Sequence, residues 1–288
     1  MIMKKWIAYI GYISVVTMVF LYYLFPSDTM NAYLNHHVSR LWPQFQLVSS
    51  EVGPTLPPGL KLTLPVLYRG QQAIAGAQHV KLIPGLLSLF SAGKKVHIRG
   101  DAYEGAMSGT VVISGLDASP VLDLDLVFGG IKVGSIPIIS SLVTHEVDGI
   151  AGGRFLFDNA ENPAGQGSLD LTITDGSVAL NPPLLGITQL NFNSIEGEAE
   201  LSDRRIRISR FFVKGQEINL NATGTIVLRE PFDTSALNIS GQILPHPSFI
   251  RNLAGVVPAG MISEKSISGG GIPFRISGTV ANPAFSLK

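Results

Sequence analysis

Cysteine is absent from these 288 residues. Disulfides and thiolate metal sites are therefore excluded, and an exported domain built from this chain must be held by its sheet and core alone. Charge of one sign is missing too, because 21 Lys and Arg balance 21 Asp and Glu. Without a basic field there is nothing to draw a polyanion, and no nucleic-acid partner is expected. Charged residues make up only 15% of the chain, and the mean hydropathy is +0.31. That balance is apolar for a soluble protein and asks where the excess resides.

Much of it lies between Trp6 and Phe25, a stretch that carries no charge. At 1.5 Å per residue it spans roughly the 30 Å of a bilayer core, and a single membrane-spanning helix is expected. Lys4 and Lys5 precede it, while the next basic residue is the distant Arg40. The N-terminus should therefore stay in the cytoplasm and the bulk should lie outside it. Trp6, Tyr9, Phe20, Tyr22, Tyr23 and Phe25 supply the anchor's aromatic residues, with Trp6, Tyr22 and Tyr23 placed to meet the two interfaces. The apolar run is too long for a signal-peptide core, and Phe25-Pro26-Ser27 offers no small-x-small cleavage site, so the anchor should be uncleaved.

Three segments are expected. Residues 1–26 form a cytoplasmic stub and anchor, 27–58 a juxtamembrane helix and Pro-rich linker, and 59–288 an exported β domain. Ser27 can cap a helix through Leu41 whose apolar stripe is Met30, Tyr33, Leu34, Val38 and Leu41, near the membrane surface. Pro43, Pro54, Pro57 and Pro58 then break regular structure.

A phrase of apolar, polar, Gly, polar, apolar recurs beyond this point, around Gly149, Gly197, Gly224, Gly241 and Gly278. Period-two alternation buries one strand face and wets the other, and a Gly held at one phase marks a bulge, a bend or a close approach of backbone. Leu169, Leu171 and Ile173 alternate with polar residues, and Asp175-Gly176 reads as a two-residue hairpin turn into Val178 and Leu180. A turn at Asp203-Arg204 sets Leu201 opposite Ile206, Ala199 opposite Ile208 and Glu200 opposite Arg207. Ile218, Leu220 and Ala222 continue the apolar face. The dense apolar runs Val80–Ala92 and Ile131–Val143 read as inserts covering an end or edge of the sheet.

The fold class expected is mainly β: the N-terminal transmembrane helix followed by a large curved antiparallel sheet, with a few short helices. That sheet is a meander forming an open trough or a partly closed barrel.

The run from Leu169 to Leu180, then Ile195-Glu196-Gly197, Asp203 to Phe211 and Gly215 to Ile226 resembles the type II secretion system protein N family. Leu237 to Pro245, Phe274 to Pro283 and Phe25-Pro26-Ser27-Asp28 after the short anchor fit the same pattern. The resemblance implies a non-enzymatic subunit of a secretion apparatus in the bacterial inner membrane, single-pass, with its β domain in the periplasm and other secretion subunits as partners. The chain is also similar in pattern to AsmA-like proteins, which implies the alternative of a module holding lipid acyl chains in an apolar groove. In either case the candidate face is Leu169, Leu171, Ile173, Ala199, Leu201, Ile206, Ile208, Ile218 and Leu220.

No catalytic residue, cofactor or metal site is expected. Ser91-x-x-Lys94 has the spacing of a Ser nucleophile and its Lys, but Gly93 makes it a turn before a strand and no partner motif exists. His145, Glu146 and Asp148 diverge on two faces of a strand, and His36-His37 diverge on a helix. His79, His97 and His246 are isolated. Gly152-Gly153 and Gly269-Gly270-Gly271 lack the spacing and helix context of a phosphate loop. Arg204, Arg205, Arg207 and Arg210 face Glu196, Glu198 and Glu200 on the neighbouring strand, which predicts a neutralised wet face. Pro273–Leu287 is a candidate final strand, either an open edge for β-augmentation or a paired strand blunted by Pro283.

Overall fold

The computed structural model describes residues 2–41, 44–115, 121–137, 139, 146–184, 187–247, 249 and 271–287. Two helices come first, α1 (Ile2–Tyr23) and α2 (Ser27–Leu41). Short strands follow: β1 (Phe45–Val48), β2 (Glu51–Thr55), β3 (Gly59–Thr63), β4 (Val66–Arg69), β5 (Gln72–Gly76) and β6 (His79–Pro84). Then come the long ones: β7 (Gly93–Ala102), β8 (Gly105–Ser114), β9 (Val121–Lys132), β10 (Val147–Asp158), β11 (Gln166–Leu184) and β12 (Ile187–Ser202). The last are β13 (Arg205–Gly215), β14 (Ile218–Val227), β15 (Ala236–Pro245), β16 (Ile272–Thr279) and β17 (Pro283–Leu287).

The chain is mainly β, with one large antiparallel sheet and few helices. Fourteen strands form that sheet in the order β2-β3-β6-β7 and then consecutively to β17, while β1, β4 and β5 form a small sheet of their own. The large sheet is open, with β2 and β17 as its edges. It starts inside the stretch expected to be a linker, because Val52 and Pro54 pair with Leu62 and Leu60 of β3. The proline read as a breaker is tolerated there, as β2 is an edge strand and needs no donor on its outer side. Pro43 lies outside the described residues.

A helix occupies the stretch from which an anchor is expected, but among the described residues no helix is long and apolar enough to cross a membrane. The side chains at positions 2–5, 7, 8, 14 and 21 of α1 lie outside those described.

Helix α2 borders β1, the edge strand of the small sheet, and reaches the start of β2. Ser27, Asn31, Asn35 and Ser39 recur every four residues and so share one stripe of the helix. The Ser27 hydroxyl accepts from Val52 N at 3.1 Å, and the Asn35 side chain accepts from Leu47 N at 3.2 Å. Asn31 donates to Ser49 O at 2.7 Å, and Ser39 donates to Phe45 O at 3.1 Å. A ladder of side chains thus satisfies backbone that a neighbouring strand would otherwise satisfy. The small sheet is tied to the β7–β8 turn, where the Tyr103 hydroxyl accepts from Gly76 N at 2.5 Å. Burial raises that phenol's pKa.

Two sequence expectations meet different fates in the turns. Asp203 and Arg204 both have positive φ, 50° and 59°, as a two-residue hairpin of the primed type requires. The pairs Leu201–Ile206, Ala199–Ile208 and Glu200–Arg207 follow as expected. Asp175-Gly176, by contrast, does not turn the chain: β11 runs through it from Gln166 to Leu184. Asp175 takes a left-handed φ of 51°, and the register shifts between Asp148 and Ile150 of β10, so two residues oppose Gly149 in a bulge. A Cβ on Gly176 would strike the Phe192 ring. Pro273–Leu287 likewise is not one strand, because β16 turns at Val280–Asn282 into β17.

Val80–Ala92 is strand β6 followed by a 3₁₀ turn, Leu86–Phe90. In the second insert, Ile136 and Ile139 pack on a buried cluster of Ala102, Ile131, Val133 and Ala151. Residues 138 and 140–145 lie outside the described set.

Gly241 tests why glycine holds its phase. A Cβ there would meet Asn221 O and lie 2.8 Å from two atoms of the Phe274 ring. Gly241→Val is expected to cost about 1–3 kcal/mol in urea unfolding by overpacking. Gly53→Ala, where a Cβ meets nothing within 4 Å, is expected to be neutral or stabilising by up to ~1 kcal/mol. Equal midpoints for the two variants would refute this packing role.

Candidate functional site

The register aligns apolar side chains across every strand of the large sheet. One row begins at Pro54 and passes through Leu60, Leu82, Ile98, Gly109 and Leu126. It continues through Phe155, Leu169, Ala199 and Ile208. It ends with Gly224, Ile239, Ile276 and Phe285 on the far edge. Fourteen strands are crossed without a polar side chain, and at about 4.8 Å between strands the row is roughly 60 Å long.

A second row runs beside it from Val52 and Leu62 to Phe274 and Leu287, again apolar or glycine throughout. Large and small residues alternate along it, with Phe128 opposite Gly153, Leu171 opposite Gly197, and Gly241 opposite Phe274. The Phe128 ring comes within 3.0 Å of where a Gly153 Cβ would stand. Rings therefore lie across Gly153, Gly197 and Gly241, while at Gly224 a Cβ would meet Asn238 and Ile239 backbone instead.

Every residue of the expected face falls on this side. Leu169, Ala199 and Ile208 belong to the first row and Leu171 to the second. Leu201 and Ile206 pair in a third, which includes Phe157, Gly167, Ile226 and Leu237. Ile173 and Leu220 belong to a fourth, Ile131–Ala151–Ile173–Ile195–Val213–Leu220. Ile218 opens β14 opposite Pro245.

Strict alternation misses Phe211, whose odd number puts it out of phase with Ile206 and Ile208. The register shifts between Ile208 and Phe211, so Ser209-Arg210 forms a bulge that returns Phe211 to the apolar side. Gly129-Gly130, with Gly130 at φ 70°, does the same between Phe128 and Ile131.

Among the described residues this face is partly covered: its first row is half-buried except for the exposed Phe285, while Val52, Leu62, Ala222 and Phe274 of the second are buried. The fully buried hydrophobic residues among those described are few, Val52, Leu62, Ala102, Leu122, Ile131, Val133, Ala151, Phe192, Ala222 and Phe274. The residues of the expected face are all half-buried. The chain exposes 18,422 Å², against roughly 12,000 Å² for a compact chain of this length.

The opposite face is wet and carries ion pairs at several of its strands. Arg154 donates to both Asp125 oxygens, at 2.9 and 2.7 Å, and these bonds hold the Asp125 carboxyl below its usual range. Arg210 bridges Glu196 at 2.5 Å and Glu198 at 3.5 Å. Arg204 reaches Glu230 at 3.4 Å. All are exposed, so each contributes little to stability.

The reactive-looking motifs are absorbed by backbone. The Ser91 hydroxyl donates to the Ser88 and Gly93 carbonyls, while Lys94 Nζ bonds the Ser91 carbonyl rather than its hydroxyl. His37 stacks on Tyr33 with centroids 4.1 Å apart, and His97 Nδ1 lies 3.3 Å from Thr110 Oγ1. His145 and Gly269-Gly270 lie outside the described residues. Gly152-Gly153 sits within β10. Among the described residues no three His, Cys, Asp or Glu side chains group so as to hold a metal ion.

No family model matches the chain, and neither a curated protein nor a solved structure matches it.

The division of faces gives a direct test. Leu171→Lys puts a charge in an apolar row and is expected to cost about 1–3 kcal/mol, whereas Thr172→Lys on the wet side is expected to stay within about 0.5 kcal/mol. The paired urea midpoints measure the difference.

Proposed function

We propose that the protein is a non-enzymatic, membrane-anchored module whose open sheet holds lipid acyl chains along its apolar face. The observation that carries this reading is the apolar row through all fourteen strands, whose side chains are only half-buried, with Phe285 exposed. A soluble domain of this length would place a second layer over such a face, since each methylene left in water forgoes about 0.8 kcal/mol. Acyl chains supply the missing layer here. A surface without polar groups suits them, because they require no hydrogen-bond partner.

The anchor is α1. Its described side chains are apolar on all sides and stand exposed, including Trp6, Tyr9, Phe20, Tyr22 and Tyr23. A helix that is apolar all round is stable in lipid or in a protein core. Its uncharged part runs from Trp6 to Tyr23, roughly 27 Å at 1.5 Å per residue, and is proposed as the segment that enters the bilayer core. Lys4 and Lys5 orient it with the N-terminus in the cytoplasm, so the sheet stands outside. The resemblance to the secretion family implies that this outside is the periplasm of a bacterial inner membrane.

A second reading is a structural subunit of a type II secretion apparatus. It is favoured by β17, whose outer edge is unpaired and all of whose residues are exposed, so that a partner's strand can add to it.

Benzophenone side chains introduced at Leu171, Leu201, Ile206 and Leu220 distinguish the two in cells. Lipid adducts at these positions and none at Thr172 are expected. Adducts confined to neighbouring protein residues would remove the lipid reading. Deletion of the gene with secretion of every substrate intact would count against the second.

A further inference from the structure

We infer that the sheet makes a second contact with the membrane, through the corner where α1, the 55–59 turn and the Leu86–Phe90 turn meet, and that this corner binds an anionic lipid surface. The inference rests on α1 being the anchor.

The geometry brings these parts to one end of the sheet. Val15, Met18, Val19, Tyr22 and Tyr23 of α1 form one wall of a cleft of about 540 Å³, and the segment from Pro54 to Gly59 forms the other. A turn packed against the last third of a membrane helix lies at the depth of that third. Leu56, at its tip, is 68% exposed. Leu60 pairs with Leu82, and a Cβ on Gly59 would stand 3.1 Å from Ile83 Cα, so the end of β6 and the turn after it lie beside this segment. That 3₁₀ turn exposes Leu86 by 59%, Leu87 by 91% and Phe90 by 93%. Apolar side chains thrust into water at this one end have a partner if the end enters the interface.

Charge supplies the independent argument. On the wet face, Lys61 of β3, Lys81 of β6 and Arg99 of β7 stand directly opposite one another. Like charges in adjacent cross-strand positions repel. No ion pair bridges these three or Lys95 among the described residues. What sets the row apart from Arg205, Arg207 and Arg275, which lack one too, is that its cations face one another across adjacent strands.

Two residues further from the corner, the next wet row reads Glu51, Thr63, His79 and Asp101. The first strands are thus sorted along their axes, with cations toward the end of α1 and acids away from it. Lipid phosphates at that end relieve the repulsion, and the acids point clear of the surface.

The absence of native cysteine makes the test simple in the full-length chain. Single-cysteine variants Leu87→Cys, Phe90→Cys, Tyr12→Cys and Phe285→Cys are labelled with the fluorophore NBD and reconstituted into phosphatidylcholine vesicles, with and without phosphatidylglycerol. Lipids spin-labelled near the headgroup act as quenchers. Labels at Leu87 and Phe90 are expected to be quenched severalfold more than the label at Phe285, on the far edge, and more strongly with phosphatidylglycerol. Adding Lys61→Gln, Lys81→Gln and Arg99→Gln together is expected to abolish the phosphatidylglycerol increment.

Quenching at Tyr12 with Leu87 and Phe90 no more quenched than Phe285 overturns the corner contact alone. A label at Tyr12 that escapes quenching by chain-labelled lipid overturns the anchor reading and this inference with it. An increment untouched by the triple substitution overturns the role of the cation row.

Discussion

Hydrogen-bonded register is the constraint on which the rest of the molecule depends. Because side chains alternate, a slip of one residue at any strand would carry its hydrophobic set to the wet face. Fourteen strands keep step, and the reward is a single surface on which Phe155, Leu169, Ala199 and Ile208 are neighbours though far apart in sequence. Burial contributes little to setting that register, since few of these side chains are buried. Tight turns such as Asp203-Arg204, cross-strand fits such as Phe274 over Gly241, and aligned bulges set it instead.

Function then becomes a question about what completes the surface. A packed domain covers its sheet with helices or a second sheet. Among the described residues the covering is local: Ile136 and Ile139 near the end of β9 and β10, and α2 beside β1 and the start of β2. The ionisable groups sit on the other side, where Arg154 and Arg210 engage acids across strands and the Lys61–Lys81–Arg99 row faces like charge.

Much of this was legible in the residues. Leu169 to Ile173 and Ala199 to Ile208 carry their face in simple alternation, and the Asp203-Arg204 turn could be placed because only one register satisfies both the apolar and the charged pairs. Asp175-Gly176 was misread because Asp-Gly suits a left-handed conformation in either a turn or a bulge. The choice between them is made by Phe192 and Gly149 on the flanking strands, which are outside any local window. Phe211 escaped for the same reason, as the bulge that re-aims it has no glycine to announce it. The stripe Ser27-Asn31-Asn35-Ser39 was overlooked although its spacing is plain, because small polar residues on a helix ordinarily mean solvent and here mean an edge strand.

The near identity of strand order and chain order has a consequence for biogenesis. Apart from β4 and β5, which leave for the small sheet, each new strand of the large sheet docks on its immediate predecessor. Loop closure is short at most steps, the long connections being those before β10 and β16, and each strand pairs with one already made. A polypeptide made from its N-terminus can therefore zip itself up strand by strand as it emerges, with only its latest margin ever bare.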